Sequence, residues 1–375
     1  MSFFGSMLTL LTTLMHLYVF GRAYTLPMFR RPSYRRALII TGAALWLIFF
    51  LGRAYGGDRY GFLTVALEMA GMHWMAGVFL IAIGMLIGDL ACGFGFLFRK
   101  VAGRVRTGGL MFGLALILLA HVQGLRPPVI ETHEVSVKDL PARLDGTTIA
   151  MMADMHVGEL MVGPRWLNAR VAQVQALRPD MIVLAGDLFE RSSDPAEMTP
   201  VMRQMSAPLG VWAVRGNHDT VRPNRRDATG EILAGAGIRI LSNEWVNPAD
   251  GLTLAGIDDL TSSRRRAGEG EANLDRALAD RPANPTILLS HTPWLTDRAA
   301  AAGVALMLSG HTHNGQIWPF KYLVRARYPF ITGRYEMDGM TLIVTRGTGT
   351  WGPRMRLWAP GEITLITLRS DTPGR

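Results

Sequence analysis

Five short segments hold the residues best suited to chemistry: Asp154-Met155-His156, Gly186-Asp187, Gly216-Asn217-His218-Asp219, His291 and Gly310-His311-Thr312-His313. They supply carboxylates, an amide and several imidazoles, without sulfur. This donor set suits a pair of divalent ions, Mn, Fe or Zn, and does not choose among them. Asp154 and His156 stand at i and i+2, so an extended segment points both to one face. Asp187 follows a glycine that admits close backbone approach, a good place for a carboxylate shared by two ions. Asn217 offers a neutral amide oxygen. His311 and His313, again two apart, can serve different ions if the backbone turns between them. Each fragment alone is weak. Asp-x-His arises by chance, Gly-Asn-His-Asp can be an Asx turn, and a lone His291 is more often a hydrogen-bonded loop histidine. Gly-His-Thr-His is the sharpest piece, and the five in this order carry the reading.

The elements that position these segments are legible. Apolar β-rich runs at 147–153, 181–184, 210–214, 286–289 and 305–308 each end just before one of them. Residues 166–177 have helical spacing. In open α/β folds, sites collect outside the carboxyl ends of strands, and all five segments fall there.

Composition divides the 375 residues in two. The hydrophobic fraction is 49%, and the excess lies before residue 126, in apolar runs at about 3–20, 37–52, 74–98 and 108–125. A bilayer core needs about 20 apolar residues per helix, so four spans are expected, with three as the alternative. Residues 1–125 are read as a transmembrane region and 126–375 as a catalytic domain, joined by a linker at 124–128. The formal charge is +9. Eleven Lys/Arg against three acids put +8 in residues 1–125, leaving +1 for the rest. The basic excess thus belongs to membrane loops, which argues against nucleic acid as a partner. The loop after the first run carries Arg22, Arg30, Arg31, Arg35 and Arg36, and the loop after the third carries Arg99, Lys100, Arg104 and Arg106. Only Arg53, Asp58 and Arg59 lie in the loop between. The positive-inside rule then places the first and third loops in the cytoplasm and the catalytic domain on the outer face of a bacterial inner membrane. Asp89, within the third run, is read as an acid paired with a loop arginine. Gly84 and Gly88 form a small-xxx-small pair. Cys92 is the single cysteine, so there is no intrachain disulfide and no thiolate metal site. Arg264-Arg265-Arg266 reads as an exposed loop.

From about Glu131 to Leu368 the chain resembles the calcineurin-like metallophosphoesterase superfamily, and within it the membrane-associated bacterial YkuE-like branch. The likeness includes Leu308-Ser-Gly-His-Thr-His-Asn-Gly-Gln316 and the tail Arg346-Gly-Thr-Gly-Thr-Trp-Gly-Pro-Arg354. The resemblance implies a four-layer α-β-β-α sandwich with two metals at the strand ends. It implies one ion on Asp154, His156, Asp187 and His313, and a second on Asp187, Asn217, His291 and His311. His218 would face the substrate as a catalytic residue, with Asp219 orienting it. Many members carry an acid three residues after the bridging Asp. Gly186-Asp187-Leu188-Phe189-Glu190 is read as a departure from that pattern, so no role is placed on such an acid.

Two divalent ions a few Å apart lower the pKa of a shared water to near neutrality. The expected function is a membrane-anchored phosphoesterase that cleaves a phosphomonoester, phosphodiester or pyrophosphate by metal-activated hydroxide, on a lipid or envelope substrate. Membrane lipids and the phosphoester are the expected partners. One alternative is a cytoplasmic-facing pyrophosphatase of nucleotide-linked lipid precursors. Another is a non-catalytic metal-bound membrane sensor, whose mark would be a degenerate site. Trp294, Trp318, Phe320, Tyr322 and Phe330 form an aromatic-rich stretch that can meet acyl chains or a base, or fill the core. Arg215 can meet a phosphate or an acid.

Overall fold

The computed structural model describes residues 3–55, 61–158, 162–190, 192–220, 226–263 and 268–371. Asp58, Arg59 and Arg264-Arg265-Arg266 lie outside the described residues. The chain divides into two compact units, Met1–Leu125 with Gly352–Leu357, and Arg126–Trp351 with Trp358–Arg375.

The first unit contains four helices: α1 (Phe3–Tyr24), α2 (Pro32–Tyr55), α3 (Phe62–Ala91) and α4 (Ala102–Leu125). Among the described residues, three of them, α2, α3 and α4, are long and apolar enough to cross a membrane. Helix α1 is 22 residues long and carries Ser6, Thr9, Thr12, Thr13 and His16 among its apolar residues. Glu68 and His73 lie within α3. Small residues let α3 and α4 touch backbone to backbone: a Cβ on Gly84 would sit 2.3 Å from the Gly109 carbonyl oxygen. Close approach of this kind substitutes for the hydrophobic driving force that lipid removes. Asp89 is fully buried. Its carboxylate meets Arg22 Nε at 2.7 Å and Arg106 Nε at 2.6 Å, and accepts a hydrogen bond from the Tyr18 hydroxyl. The end of α1, the end of α3 and the start of α4 are thereby tied together, so the two arginine-rich loops share one end of the bundle.

The second unit is a sandwich of two six-stranded mixed sheets. The first holds β1 (Val129–Val137), β2 (Thr148–Met152), β3 (Met181–Ala185), β4 (Val211–Val214), β5 (Arg239–Ile240) and β12 (Glu362–Ser370), in the order β1-β12-β2-β3-β4-β5. The second holds β6 (Glu244–Ala249), β7 (Leu252–Gly256), β8 (Thr286–Leu289), β9 (Leu306–Ser309), β10 (Gly333–Met337) and β11 (Met340–Val344), in the order β10-β11-β9-β8-β7-β6. Strand alternation decides which side chain faces where. Ile149, Met151, Met181 and Val183 meet Ile287, Leu289, Leu306 and Leu308 between the sheets. The alternate residues Ala150, Met152, Ile182 and Leu184 face outward to Leu167, Val171, Met198 and Leu233. Those come from α5 (Pro164–Ala176), α6 (Pro195–Met202) and α7 (Ala228–Gly235). Leu288, Met307 and Leu342 face outward from the second sheet to Leu274, Ala277 and Ala299. The covering segments there are α8 (Leu260–Ser263), α9 (Glu269–Leu278) and α10 (Thr296–Ala301). Both faces of both sheets are covered, giving four layers, α-β-β-α. This is why the strands read as unbroken apolar runs rather than alternating ones. A last short helix, α11 (Lys321–Arg325), follows the Gly-His-Thr-His segment.

Candidate metal centre

Strands β2, β3 and β4 are parallel neighbours, as are β7, β8 and β9. Their carboxyl ends deliver Asp154, Asp187, Asn217, His291 and His311 within three residues of each strand. The backbone there is not extended. Asp154, His156, Asp187, His311 and His313 all have positive φ, between 47° and 73°. Non-glycine residues seldom adopt this region, and it gathers at functional sites. Asp154 and His156 therefore share a site through left-handed turns, not through strand alternation. These turns are pinned by Asp154 N–H to the Gly186 carbonyl at 2.9 Å and His156 N–H to the Asp187 carbonyl at 3.1 Å. The tail beginning at Arg346 braces them: Thr348 N–H donates to the Ala153 carbonyl and Gly349 N–H to the Asp154 carbonyl. Gly310 has no room for a side chain, since a Cβ there would lie 2.4 Å from Asp154 Oδ2.

Three groups of donor atoms converge among the described residues. Asp154, His156 and His313 present atoms within 4.8 Å of one another; so do Asp187, His291 and His311, and so do His156, Asp187 and His218. His311 and His313 fall in different groups. Asp187 Oδ2 lies 3.2 Å from His291 Nε2 and 3.7 Å from His156 Nε2, placing it between the two. His156 Nε2 and His313 Nε2 are 3.2 Å apart, and so are His311 Nδ1 and His291 Nε2. Lone pairs at that distance repel unless a proton or a cation lies among them. The buried Asn217 Oδ1 has no hydrogen-bond partner among the described residues. An unsatisfied buried oxygen is costly, and a cation would remove the cost. These observations fit a pair of divalent ions.

Outer contacts fix which nitrogen is offered. His291 Nδ1–H donates to the Ala185 carbonyl at 2.8 Å, leaving Nε2 for the site. His156 Nδ1–H donates to Glu190 Oε1 at 2.7 Å, again leaving Nε2. His311 Nε2–H donates to the Tyr328 hydroxyl oxygen at 2.7 Å, leaving Nδ1. Glu190 also lies 3.0 Å from His218 Nδ1. The residue three positions after Asp187 is Glu190 itself, so the supposed departure does not exist, and the acid sits where it touches both histidines. Residue spacing alone was enough to find it. Tyr328 had no comparable signal. The Asp219 charge adds to the support of the His218 imidazolium. The Asp219 carboxylate is buried and accepts from the backbone N–H groups of Leu188 and Gly216 and from the Thr229 hydroxyl, so it anchors the turn that carries His218, and Glu190 is the carboxylate that pairs with the His218 ring. Arg215 meets an acid, forming two bonds to Asp227 at 2.8 and 2.6 Å.

Electrostatics in the pocket are finely opposed. Burial raises the Asp154 carboxyl to about 6. Asp187 is also buried, but facing His291 and His218 hold it well below the usual carboxylate range. Burial disfavours the His218 imidazolium, yet Glu190 and Asp187 raise it to about 10. Burial and the His291 charge depress His311 to about 4. His218, Glu190, Thr220 and Arg226 border a small open recess.

The calcineurin-like phosphoesterase family model matches residues 147–315. The chain belongs to the calcineurin-like metallophosphoesterases. It is similar to a transmembrane protein with metallophosphoesterase domain from Danio rerio, at 34% identity over 68% of this chain and 62% of that protein. It is also similar to the uncharacterized metallophosphoesterase YkuE of Bacillus subtilis, at 30% identity over 73% of this chain and 95% of the relative. Its match spans less than two thirds of the Danio rerio and Bos taurus relatives. Among solved structures, a dimetal phosphatase from Danio rerio aligns with a TM-score of 0.39 and 17% identity, over 60% of this chain and 93% of that one.

Proposed function

We propose that the protein is a membrane-anchored, dinuclear metal-dependent phosphoesterase whose catalytic domain lies on the outer face of the membrane. The observation that carries the reading is the convergence of three donor groups, two of which share Asp187, with the orphaned oxygen of Asn217. The first ion would be held by Asp154, His156, Asp187 and His313, the second by Asp187, Asn217, His291 and His311. When bound, such ions make water acidic near neutral pH and neutralise phosphoryl oxygens.

The chain's own residues do the rest. His218 keeps a proton at neutral pH because Glu190 stabilises the imidazolium. It can hold a phosphoryl oxygen or give its proton to the leaving oxygen. Glu190 sets the rings of His156 and His218 together. Asp219 holds the turn that carries Asn217 and His218.

The outer-face assignment rests on charge. The two basic loops share one bundle end, tied through Asp89. After the first of them come three apolar helices, so the domain emerges opposite the basic side whether or not α1 crosses. A lipid or other envelope phosphoester is the substrate class this location favours.

The test is the full-length protein in detergent, with metal content and hydrolysis of bis-p-nitrophenyl phosphate measured for wild type and Asp187→Asn. Two ions per chain with hydrolysis, both lost in the variant, is the expected result. Bound metal without hydrolysis of any mono-, di- or pyrophosphate ester would leave a metal-bound sensor instead.

A further inference from the structure

The segment after Gly-His-Thr-His is unlike the rest of the catalytic domain. From Gly310 to Tyr335 it carries Lys321, Arg325, Arg327 and Arg334 and no Asp or Glu, in a domain whose total is near neutral. It also shows large apolar side chains to solvent: Tyr322 is 57% exposed and Leu323 55%. Trp358, 54% exposed, joins them through its edge contact with Trp318, ring centroids 5.1 Å apart. Arg334 is paired with Glu336 at 2.6 Å. An exposed Leu alone needs no explanation, but exposed aromatic and aliphatic groups interleaved with Lys321, Arg325 and Arg327 do.

This strap is fastened to the metal centre at both ends. At its start, Gly315 packs so tightly on Lys321 that a Cβ would lie 2.5 Å from the Lys321 backbone. At its end, the Tyr328 hydroxyl meets His311 Nε2, and the Tyr328 ring stacks on Trp294 with centroids 5.5 Å apart. Arg327 lies over that stack, 4.8 Å from the Trp294 centroid. Whatever seats on the strap is thus held next to the donor groups.

We propose that the strap 318–330, with Trp358, docks on an anionic phospholipid surface and brings a lipid-borne phosphoester to the metal centre. The second half of this statement rests on the function proposed above; the docking itself does not. Charge favours the partner, since juxtamembrane cations are drawn to anionic headgroups. Side-chain type favours it too, because Trp and Tyr prefer the headgroup boundary and Lys and Arg reach to phosphate from there. Connectivity favours it as well: β1 begins at Val129, close after α4 ends at Leu125, so the domain is held on a short lead.

The test uses the full chain with Cys92→Ala, which removes the single cysteine, and a nitroxide at Leu323→Cys. A control nitroxide goes at Asp250→Cys, a fully exposed position. The proteins are placed in vesicles of phosphatidylcholine with a minority of phosphatidylglycerol, and collision with oxygen and with a water-soluble nickel chelate is compared. Position 323 is expected to report the acyl–headgroup boundary and position 250 water. Lys321→Gln with Arg325→Gln and Arg327→Gln should move the 323 label outward, raising its nickel collision rate severalfold. A 323 label as aqueous as 250 overturns the proposal. So does a label shielded by an oligonucleotide and not by lipid, or one unmoved by the triple change. Hydrolysis of bis-p-nitrophenyl phosphate is read on the same samples. A lipid-buried label without hydrolysis removes the proposed function and upholds docking, and hydrolysis with an aqueous label removes docking alone.

Discussion

At the scale of single residues, the centre depends on groups with distinct duties, and substitution separates them. Asp187→Asn should abolish hydrolysis and release both ions, read by metal analysis of the purified protein, because one carboxylate faces both His156 and His291. His218→Ala should keep the metal and lower turnover by about 10²–10⁴, the usual worth of a general acid. Glu190→Gln should do something different from either. It removes the acceptor of His156 and the counter-charge of His218. Metal affinity should fall by roughly 10–100-fold, as for other outer-shell partners, and the basic limb of the pH–rate profile should move to lower pH as the His218 pKa drops. The same pair acts on stability in metal-free protein. His218 is raised in the folded state from 6.5 to about 10. Its contribution is therefore fully present below the unfolded value and is lost as pH rises through about 10. Melting of chelated wild type should show this loss between those values, and chelated Glu190→Gln should show it much reduced.

At the scale of elements, the sheet supplies position and the turns supply aim. Parallel strands bring five polar segments to common edges, but left-handed backbone at Asp154, His156, Asp187, His311 and His313 turns the side chains into one volume. The glycines between them are constrained by contact. Gly310→Ala would drive a methyl group into the Asp154 carboxylate. It should lose metal while circular dichroism still reports a folded sandwich, and retained metal at wild-type stoichiometry would show that the turn can yield. In the helical unit the α3–α4 contact depends on Gly84 in the same way. Gly84→Leu forces the two backbones apart and should lower the melting temperature of the detergent-solubilised protein; overpacking costs about 1–3 kcal/mol even where neighbours can move.

At the scale of the whole molecule, the arrangement of charge is what the proposed outer-face orientation rests on. The buried Asp89 holds Arg22 and Arg106 at one bundle end, and the basic loops go with them. A C-terminal reporter active only outside the cytoplasm should be active, and one active only inside should be silent. The reverse would move the catalytic domain to the cytoplasmic side and redirect the substrate search to lipid precursors there. Whether α1 crosses does not change this side, because it precedes the first basic loop.

The sequence by itself determined which donor residues are available, the apolar strands that precede them, the concentration of apolar runs before residue 126 and the charge of each loop. These are local properties, visible as runs, spacings and counts. It also contained Glu190 at three residues from Asp187, legible once counted. What it could not contain is how the turns close. Alternation along an extended strand suggested how Asp154 and His156 share a face, whereas the folded chain achieves this with left-handed backbone braced by the distant Thr348 and Gly349. The neighbour of Asp219 in sequence is His218, but its partners in space are the backbone of Leu188 and Gly216 and the hydroxyl of Thr229. Tyr328 reaches His311 only because a strap leaves the motif and returns. Spacing along a chain fixes which groups are available; which of them meet is set by packing, because a contact between residues far apart in sequence exists only once the core between them has formed.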